Sequence, residues 1–360
     1  MQAEILRTYG WNVDWGSRFM PFEREGLEPG RIIEENRQSF QVLSVYGERY
    51  AEVSGRFRFN ARARQSLPAV GDWVALRPLA EGPAIIEAIL PRKTQFVRKV
   101  AGRQTEGQVV AANVDWVFIM MSLNRDFSLR RLERYLVLTW ESGASPVIIL
   151  SKSDLCQDKE AAAATINREV LGVPVHAISA LTGEGLEEVQ VYLDPGKTIV
   201  LLGSSGVGKS TLVNEFLGKP SLRTQPIRSD DDRGRHTTTT RQLIPLPCGS
   251  LVLDSPGMRE LQLWEADEGM QTAFEEIETY ARQCRFRDCR HRQEPGCAVR
   301  EALATGTLKE SRFESYEKLQ RELSYLNLRQ KGQAQRLEKQ RWKKVSRLAK
   351  DRGLAKREGG

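Results

Sequence analysis

Hydrophobic and polar positions alternate in short pieces over the first third of the chain. Four such pieces lie between residues 39 and 90, with glycine or proline near their ends: SFQVLSV, RYAEVSG, GDWVALRP and AIIEAIL. Alternation with a period of two, broken by turn-forming residues, is typical of antiparallel strands with one buried face. No long helical period interrupts the region from residue 31 to about residue 110. We therefore predict a small antiparallel barrel there.

From residue 113 onward, apolar strand-like runs alternate with helical stretches. The runs WVFIMM, PVIIL, VPVHAIS and TIVLL are separated by SLRRLERYLVLTW, by KEAAAATINREVL and by a stretch that begins at Glu184. Alternation of this kind predicts a parallel sheet covered by helices. We predict that His176, inside VPVHAIS, is a core residue of its strand. After about residue 274 the chain is rich in arginine, then helical in pattern from 308 to 328, then strongly basic.

These changes of pattern divide the chain into five parts. We expect an N-terminal extension at 1–32, the barrel at 33–111, the α/β domain at 112–275, a C-terminal domain at 276–330 and a basic tail at 331–360. The extension, which contains Trp11 and Trp15, matches no clear pattern. At 360 residues the chain is long enough for several units with cores of their own. The predicted fold class is multi-domain α/β.

The composition argues against membrane-spanning and secreted classes of protein. No run of eighteen apolar residues occurs, and the N-terminus lacks a basic start followed by an apolar stretch. We therefore expect no membrane span and no signal peptide. Five cysteines are too few for a secreted disulfide scaffold, and three of them lie between residues 284 and 297. A reducing, cytoplasmic location and a metal site fit this usage better.

Positive charge is concentrated at the C-terminal end. The chain carries +7 overall, whereas residues 329–357 hold twelve Lys or Arg against two acidic residues, a local charge of +10. Such a tail suits a phosphate backbone, and Trp342 lies among the charges, where it can stack on a base. The alternative is a solvated helix that keeps the chain in solution. We favour nucleic acid as the partner.

A phosphate-binding motif follows the apolar run TIVLL. The segment GSSGVGKST matches G-x-x-x-x-G-K-[ST], whose glycines let backbone N–H groups surround a phosphate at the start of a helix. We expect Lys209 to bridge the β- and γ-phosphates and Ser210 to bind Mg²⁺. The alternative is a glycine-rich turn that contains lysine by chance. The residues of the motif are Gly203, Ser204, Ser205, Gly206, Val207, Gly208, Lys209, Ser210 and Thr211.

Two downstream segments supply further groups for Mg²⁺ and for the γ-phosphate. In SLVLDSPG, Asp254 ends an apolar strand and can bind Mg²⁺ through water, while the Gly257 N–H can meet the γ-phosphate. Between the motifs lies SDDDRGRHTTTT. One of Thr237, Thr238 and Thr239 is placed there to complete the Mg²⁺ shell, with Thr238 preferred. The alternative for this segment is a simple linker.

A base-recognition motif precedes the phosphate loop, which reverses the usual order in GTP-binding proteins. In a parallel sheet, loops at the carboxyl ends of the strands meet whatever their order in the sequence, so a rotated order is compatible with one site. We expect Asp154 to accept hydrogen bonds from guanine, Lys152 to lie along the base and the Ala180 N–H to donate to O6. The motif residues are Ser151, Lys152, Ser153 and Asp154 after PVIIL, and Ser179 and Ala180 after VPVHAI.

The rotated order, a preceding barrel with VGDWVAL and a following Cys/His cluster resemble the ribosome small subunit-dependent GTPase A family (RsgA), over about residues 33 to 328. The resemblance implies an N-terminal OB-fold barrel, a circularly permuted P-loop GTPase domain and a C-terminal zinc-binding α-helical domain. It also implies GTP and GDP binding with Mg²⁺, and late maturation of the small (30S) ribosomal subunit with hydrolysis stimulated by that subunit. We expect contacts with its rRNA, no membrane contact and a monomer. At Ser151 the family more often has Asn or Thr, so we expect affinity rather than base choice to differ.

The Cys/His cluster has the spacing C-x4-C-x-H-x5-C, which supplies four ligands to a closed tetrahedral Zn²⁺ site. No open position or nearby general base is evident, so we predict one structural zinc; a chance cluster of reduced thiols is the alternative. Five arginines alternate through the cluster with Phe286, which indicates an RNA-facing surface. The predicted ligands are Cys284, Cys289, His291 and Cys297, and all four match the family's pattern.

The sequence leaves the hydrolytic residue and the function class partly open. Met258 stands where many GTPases have a water-orienting Gln, so we expect slow intrinsic turnover with Lys209 as the main catalytic side chain. His236 matches a His in the family's HTT motif and can orient water; an exposed switch histidine is the equal alternative. Besides a ribosome-activated GTPase, the sequence allows a P-loop ATPase or kinase, which Asp154 opposes. It also allows an RNA-binding module whose nucleotide site is a switch or is degenerate.

Overall fold

The chain forms a closed barrel, then a mainly parallel sheet with helices, then a group of short helices. The computed structural model describes residues 2–36, 39–61, 64–99, 107–123, 127–170, 172–220, 241–254 and 267–324. No helix within these ranges is long and apolar enough to span a membrane.

Five strands near the N-terminus close into the barrel. They are β1 (Glu28–Glu35), β2 (Phe40–Ser44), β3 (Gly47–Val53), β4 (Trp73–Arg77) and β5 (Ala84–Ile89). Their order is β1-β2-β3-β5-β4, and a second pairing of β1 with β4 closes the circle. All neighbours are antiparallel except β3 and β5, which are parallel. The predicted OB-fold barrel is confirmed, with one parallel pair that an alternating pattern cannot reveal.

Two N-terminal helices pack against the barrel, and a third connects two of its strands. They are α1 (Gln2–Arg7), α2 (Val13–Glu23) and α3 (Gly55–Asn60), which lies between β3 and β4. The rings of Trp11 and Trp73 meet edge to face with centroids 4.8 Å apart, and Trp15 is buried. The tryptophans that matched no sequence pattern therefore pack onto the barrel. Strand β1 begins at Glu28, ahead of the predicted domain limit at residue 33.

The two strands after the barrel form a hairpin of their own. β6 (Gln95–Lys99) and β7 (Gly107–Ala112) pair with each other in an antiparallel way. The sequence placed this region within the barrel, because a period of two identifies a strand but not its partner. The end of β7 lies close against the barrel at Gly71, where a Cβ atom would be 2.1 Å from the Ala112 carbonyl oxygen.

The second domain is a six-stranded sheet with helices between its strands. Its strands are β8 (Trp116–Ser122), β9 (Ser145–Ser151), β10 (Val175–Ile178), β11 (Thr198–Leu202), β12 (Arg241–Pro245) and β13 (Leu251–Asp254). Its helices are α4 (Leu129–Glu141), α5 (Lys159–Glu169), α6 (Leu186–Gln190) and α7 (Lys209–Leu217). The order is β10-β9-β8-β11-β13-β12. The predicted parallel sheet is confirmed for the first five, whereas β12 is antiparallel to β13.

The barrel and the sheet share one hydrogen-bonded ladder. Barrel strand β1 pairs with β12 in an antiparallel way, with Glu34 opposite Gln242 and Glu35 opposite Arg241. Arg241 also forms an ion pair with Glu35. A short backbone ladder therefore ties the barrel directly to the edge of the sheet.

The C-terminal domain is helical, as predicted. Its helices are α8 (Asp267–Ala273), α9 (Glu275–Ala281), α10 (Ala298–Ala304) and α11, which runs from residue 310 to residue 324. Phe274, Ile277 and Val299 are fully buried between them. The predicted helix at 308–328 begins at residue 310, and its last four positions lie outside the described residues.

The prediction that His176 is a core residue is wrong. Its ring is half-buried, with Nδ1 at 2.8 Å from Glu188 Oε2 and Nε2 at 2.9 Å from the Tyr192 hydroxyl. Strand β10 is the edge of the sheet, so only part of its surface is covered. A side chain on an edge strand can reach polar partners, whereas the same side chain on a central strand would be buried.

Candidate functional site

Three of the predicted loops meet at the carboxyl edge of the parallel strands. Strand β9 ends at Ser151, β10 ends at Ile178 just before the SAL loop, and β11 ends at Leu202 just before the phosphate loop. Asp254, half-buried, is the last residue of β13 on the same edge. The sheet therefore brings together segments that lie in rotated order along the chain.

The SKSD loop is bonded directly to the phosphate loop. The Ser151 hydroxyl is 2.6 Å from the Val207 carbonyl oxygen, and Lys152 Nζ donates to the Gly206 carbonyl oxygen at 2.8 Å. Ser151 is buried, and Lys152 has the left-handed φ of 61°. The left-handed turn and the two bonds fix the start of SKSD against the phosphate loop.

Glu184, which the sequence did not single out, connects SKSD to the SAL loop. The Ser153 hydroxyl donates to Glu184 Oε2 at 3.0 Å, and the Ser179 N–H donates to the Glu184 carbonyl oxygen at 3.0 Å. Lys159 forms an ion pair with the same carboxylate. Hydrogen bonds from Lys159 and then Ser153 lower the pKa of Glu184. Asp154 itself is exposed at the mouth of this arrangement.

The phosphate loop has the backbone that its glycines predict. Gly203, Gly206 and Gly208 have φ values of 150°, 75° and 104°. A Cβ atom on Gly203 would lie 2.5 Å from the Met120 carbonyl oxygen, so only glycine fits there. Helix α7 starts at Lys209, whose Nζ donates to the Gly203 carbonyl oxygen at 2.7 Å. The loop is a glycine cradle at a helix start, as phosphate binding requires.

The other predicted positions fall into two groups. Ser210 and Thr211 lie in the first turn of α7, Ser205 is exposed in the loop, and Ala180 is half-buried after β10. The predicted residues His236, Thr237, Thr238, Thr239, Gly257 and Met258 lie outside the described residues.

Arg131 is a second neighbour of the phosphate loop that the sequence did not indicate. It lies on α4, and one guanidinium nitrogen donates to the Ser204 hydroxyl at 3.2 Å. The two residues are 73 positions apart, and an arginine inside an amphipathic helix carries no signal of such a contact. Only the packing of α4 beside β8 reveals it.

The Cys/His cluster closes on itself in the C-terminal domain. The ligand atoms of Cys284, Cys289, His291 and Cys297 all lie within 4.8 Å of one another. The Cys284 and Cys297 sulfurs are 3.8 Å apart, and His291 Nδ1 lies 3.6 Å from the first and 3.4 Å from the second. The predicted spacing therefore brings its four donors to one point.

The distances among Cys284, His291 and Cys297 fit a zinc ion. Zn–S bonds of about 2.3 Å and Zn–N bonds of about 2.0 Å at tetrahedral angles place two sulfurs about 3.8 Å apart, and a sulfur and a nitrogen about 3.5 Å apart. Burial acts to raise the pKa of Cys284, but N–H groups of Val299 and Ala298 outweigh it and lower that pKa. Burial lowers the pKa of His291, which favours the neutral ring. These two effects favour the metal-binding protonation states of Cys284 and His291, whereas burial raises the pKa of Cys289 to about 11 and favours its thiol when no metal is bound.

Comparison with known proteins connects these features. A family model described as RsgA GTPase matches residues 89–264. The small ribosomal subunit biogenesis GTPase RsgA 2 of Lactiplantibacillus plantarum is 52% identical over 307 residues, which cover 85% of this chain and 86% of the relative. The RsgA protein of the same description from Opitutus terrae is 47% identical over 350 residues, 94% of this chain and 95% of the relative.

Solved structures agree with the sequence comparison. The crystal structure of YjeQ from Thermotoga maritima superposes with a TM-score of 0.63 at 30% identity, covering 81% of this chain and 97% of that chain. YloQ, described as a circularly permuted GTPase, gives a TM-score of 0.58 at 26% identity, covering 83% and 95%. With its barrel, its rotated nucleotide loops and its Cys/His cluster, the chain belongs to the RsgA GTPase family.

Proposed function

We propose that this chain is a cytoplasmic GTP hydrolase that binds the small ribosomal subunit and its rRNA as a monomer, assists late maturation and turns over faster on that subunit. The observation that carries the nucleotide site is the pair of bonds from Ser151 and Lys152 to the phosphate loop. Those bonds join a guanine-type motif to a phosphate-type motif despite the rotated order.

Guanine recognition would depend mainly on Asp154. Its exposed carboxylate can accept from the guanine N1–H and the exocyclic amine, a donor pair that adenine lacks. Lys152, fixed by Gly206, can lie along the base, and the Ala180 N–H can donate to O6. This set of groups supports GTP over ATP as the substrate.

The phosphate loop and the helix after it would hold the phosphates. The backbone N–H groups at the start of α7 and Lys209, which begins that helix, would contact the β- and γ-phosphates as in other P-loop proteins. Ser210, Thr238 and, through water, Asp254 would hold Mg²⁺, which when bound neutralises charge on the β- and γ-oxygens. Lys209 would stabilise the charge that develops on the transferred phosphate.

Water positioning is assigned to His236 as part of the same proposal. Met258 at the usual glutamine position cannot hydrogen-bond a water molecule usefully, and His236 lies in the switch segment of the sequence. The hydrolysis rate without the subunit is therefore expected to be low. An effect of the subunit on this segment would account for faster turnover.

The Cys/His cluster would hold one structural zinc. Four protein donors complete a tetrahedron and leave no position for a substrate. The four donors lie in the C-terminal domain, and none of them belongs to a nucleotide loop. The metal would then stabilise the loop that carries the arginines.

Binding of the small subunit is proposed from the relatives, which are named as small ribosomal subunit biogenesis GTPases. The positive charge of this chain supports a nucleic-acid partner, because a +10 segment at 329–357 and the arginines at the Cys/His cluster suit phosphates.

A turnover assay tests the proposal. Phosphate release is measured with GTP and with ATP, each alone, with purified small subunits and with purified large subunits as a control. We expect slow release from GTP alone, faster release with small subunits only, and negligible release from ATP. Equal turnover of ATP, or no response to small subunits, would contradict the proposal.

A further inference from the structure

The loop at residues 285–292, here called the arginine loop, carries four arginines beside the metal ligands. All four are exposed, and within the described part of the chain no carboxylate lies within 4.0 Å of their guanidinium nitrogens. They are Arg285, Arg287, Arg290 and Arg292. Two other arginines of the same domain are paired, Arg312 with Glu133 at 2.8 Å and Arg321 with Glu317 at 3.6 Å. The loop therefore holds four exposed arginines within eight residues, without carboxylate partners for their guanidinium groups.

The nearby carboxylate of Glu294 is engaged by the backbone of the loop. It accepts hydrogen bonds from the N–H groups of Arg290 at 3.0 Å, Arg292 at 2.8 Å and Gln293 at 3.0 Å. These bonds, that from Arg290 first, lower the pKa of Glu294 to about 2. The Glu294 carboxylate therefore holds the backbone of residues 290–293. The loop itself contains four exposed arginines and one exposed carboxylate, Asp288, so its net charge is positive.

A groove of about 440 Å³ lies between the arginine loop and α11. Its lining includes two of the proposed zinc ligands, Cys289 and His291, together with Phe286, Arg287, Arg290, Arg292, Tyr316 and Arg321. Two acidic residues also line it, but both have partners: the Tyr316 hydroxyl donates to Glu278 at 2.9 Å, and Glu317 pairs with Arg321. The volume is within the range of small-ligand sites, about 300 to 1,000 Å³.

Phe286 gives the groove an aromatic surface. It is 41% exposed. The guanidinium of Arg285 lies 5.6 Å from the ring centroid and steadies the ring by a cation–π contact. An exposed aromatic ring among unpaired arginines is the combination that single-stranded nucleic acid uses, with bases on the ring and phosphates on the cations.

We propose that this groove binds single-stranded RNA, with one unstacked base on Phe286 and the adjoining phosphates on Arg287, Arg290 and Arg292. Double-stranded RNA keeps its bases stacked and would leave the ring unused. The inference deepens the proposed function, because it specifies which RNA form the C-terminal domain recognises on the subunit.

The test uses the zinc-loaded full-length protein and fluorescence anisotropy. The probes are an eight-nucleotide single-stranded RNA, the same RNA with abasic positions, and an RNA duplex. Since the basic tail meets the same phosphates in both single strands, the ratio of the two affinities isolates base stacking. Stacking on one aromatic ring is worth about five- to a hundredfold in affinity. We expect Phe286→Ala to lower that ratio, since only stacking elsewhere, as on Trp342 of the tail, would remain, and Phe286→Trp to keep it.

Arginine variants test the phosphate contacts. Arg290→Gln should weaken binding of intact and abasic RNA equally and flatten the dependence of log affinity on log salt by about 0.7. The matched control is Arg168→Gln, an exposed arginine on α5 that should change neither quantity. Zinc content is measured for each variant. If Phe286→Ala loses zinc, the affinity ratio is measured with Phe286→Leu instead.

Three results would overturn the inference. They are an unchanged intact-to-abasic ratio in Phe286→Ala and Phe286→Leu, tighter binding of the duplex than of the single strand, and equal competition by an acidic peptide. If these occur while small subunits still stimulate GTP turnover, only the groove assignment fails. If that stimulation is absent as well, the proposed function fails too.

Discussion

At the residue scale, one carboxylate is expected to decide which base the nucleotide site accepts. Asp154→Asn replaces a double acceptor with a group that presents an N–H₂ donor, which suits xanthine because xanthine has a carbonyl where guanine has its amine. Each lost charge-assisted bond is worth about 1.5 to 3 kcal/mol, so GTP affinity should fall by about one to four orders of magnitude. Competition binding with GTP and XTP checks this. Glu160→Gln, an exposed carboxylate on α5, is the control. Unchanged GTP preference in Asp154→Asn would show that SKSD is not the base site.

Glu184 is expected to position the base-recognition loop without contacting the base. Glu184→Ala removes the acceptor of Ser153 and the partner of Lys159, so KM for GTP should rise, by no more than about fivefold because the pair is exposed. The turnover number on small subunits should not change. The pKa of Glu184 is lowered in the folded protein. The contacts of its carboxylate with Ser153 and Lys159 are therefore complete above the usual glutamate pKa, and they are lost as the pH falls through the lowered value. Glu187→Ala, at an exposed glutamate, is the control. An equal rise in KM in that variant would contradict the positioning role of Glu184.

Sequence motifs identified the residues that act together only where they are also neighbours in sequence. SKSD, the phosphate loop and the Cys/His cluster each carry their chemistry within a few positions, and the predicted Cys/His donors do converge. Glu184 and Arg131 act across 31 and 73 positions through single hydrogen bonds, which no local pattern encodes. The half-buried His176 was misjudged for a related reason, since strand patterns do not say which strand is the edge.

At the element scale, helix α4 connects the phosphate loop to the C-terminal domain. Arg131 contacts Ser204 at one side of the helix, while Glu133 pairs with Arg312 of α11 at 2.8 Å. Both side chains of that pair are 8% exposed, and the second oxygen of Glu133 has no hydrogen-bond partner among the described residues. Arg134 adds a half-exposed pair with Glu322 of α11. The junction between the two domains therefore rests on a buried ion pair and not on apolar packing alone.

Breaking the buried pair should destabilise the protein. Arg312→Ala leaves the Glu133 carboxylate buried and unpaired, at a cost of about 3 to 5 kcal/mol in the free energy of unfolding. The same helix offers a matched control, because Arg130 pairs with Glu314 in a bridge that is 61% and 59% exposed. Arg130→Gln should cost less than about 1 kcal/mol. Urea unfolding of both variants measures the difference, and Arg312→Met with Glu133→Leu should recover stability. Equal losses in Arg312→Ala and Arg130→Gln would contradict this account of the junction.

The elements themselves were largely predictable, but their partners were not. Apolar runs such as WVFIMM and PVIIL became the central strands β8 and β9, and carboxyl-edge geometry explained why a rotated order still builds one site. The hairpin β6–β7, the parallel pair β3–β5 and the ladder between β1 and β12 depend on which strands meet in space. Periodicity measures how a strand is buried and carries no information about its neighbour.

At the scale of the whole molecule, the nucleotide loops and the arginine loop lie in different domains joined through α4. The Cys/His donors lie between α9 and α10, whereas the nucleotide loops lie at the carboxyl edge of the sheet. Arg312, at the junction, also donates to Glu276 of α9, the helix that leads to Cys284. The Cys/His cluster is therefore linked to the junction by one short helix, and none of its four donors belongs to the phosphate loop.

Removing the proposed zinc should weaken binding to the small subunit without weakening GTP binding. If the four donors hold the proposed zinc, its removal takes away the bonds that would hold residues 284–297 together, so the arginine loop and its groove should lose their structure. Cys289→Ala or a chelator should then weaken binding to small subunits while leaving GTP affinity within about twofold, because the nucleotide loops keep their own contacts. Zinc is quantified in the purified protein, subunit binding by cosedimentation and GTP binding with a fluorescent analogue. Cys248→Ala, an exposed cysteine outside the cluster, is the control. Absence of zinc from the purified protein, or an equal loss of GTP and subunit binding, would contradict the separation.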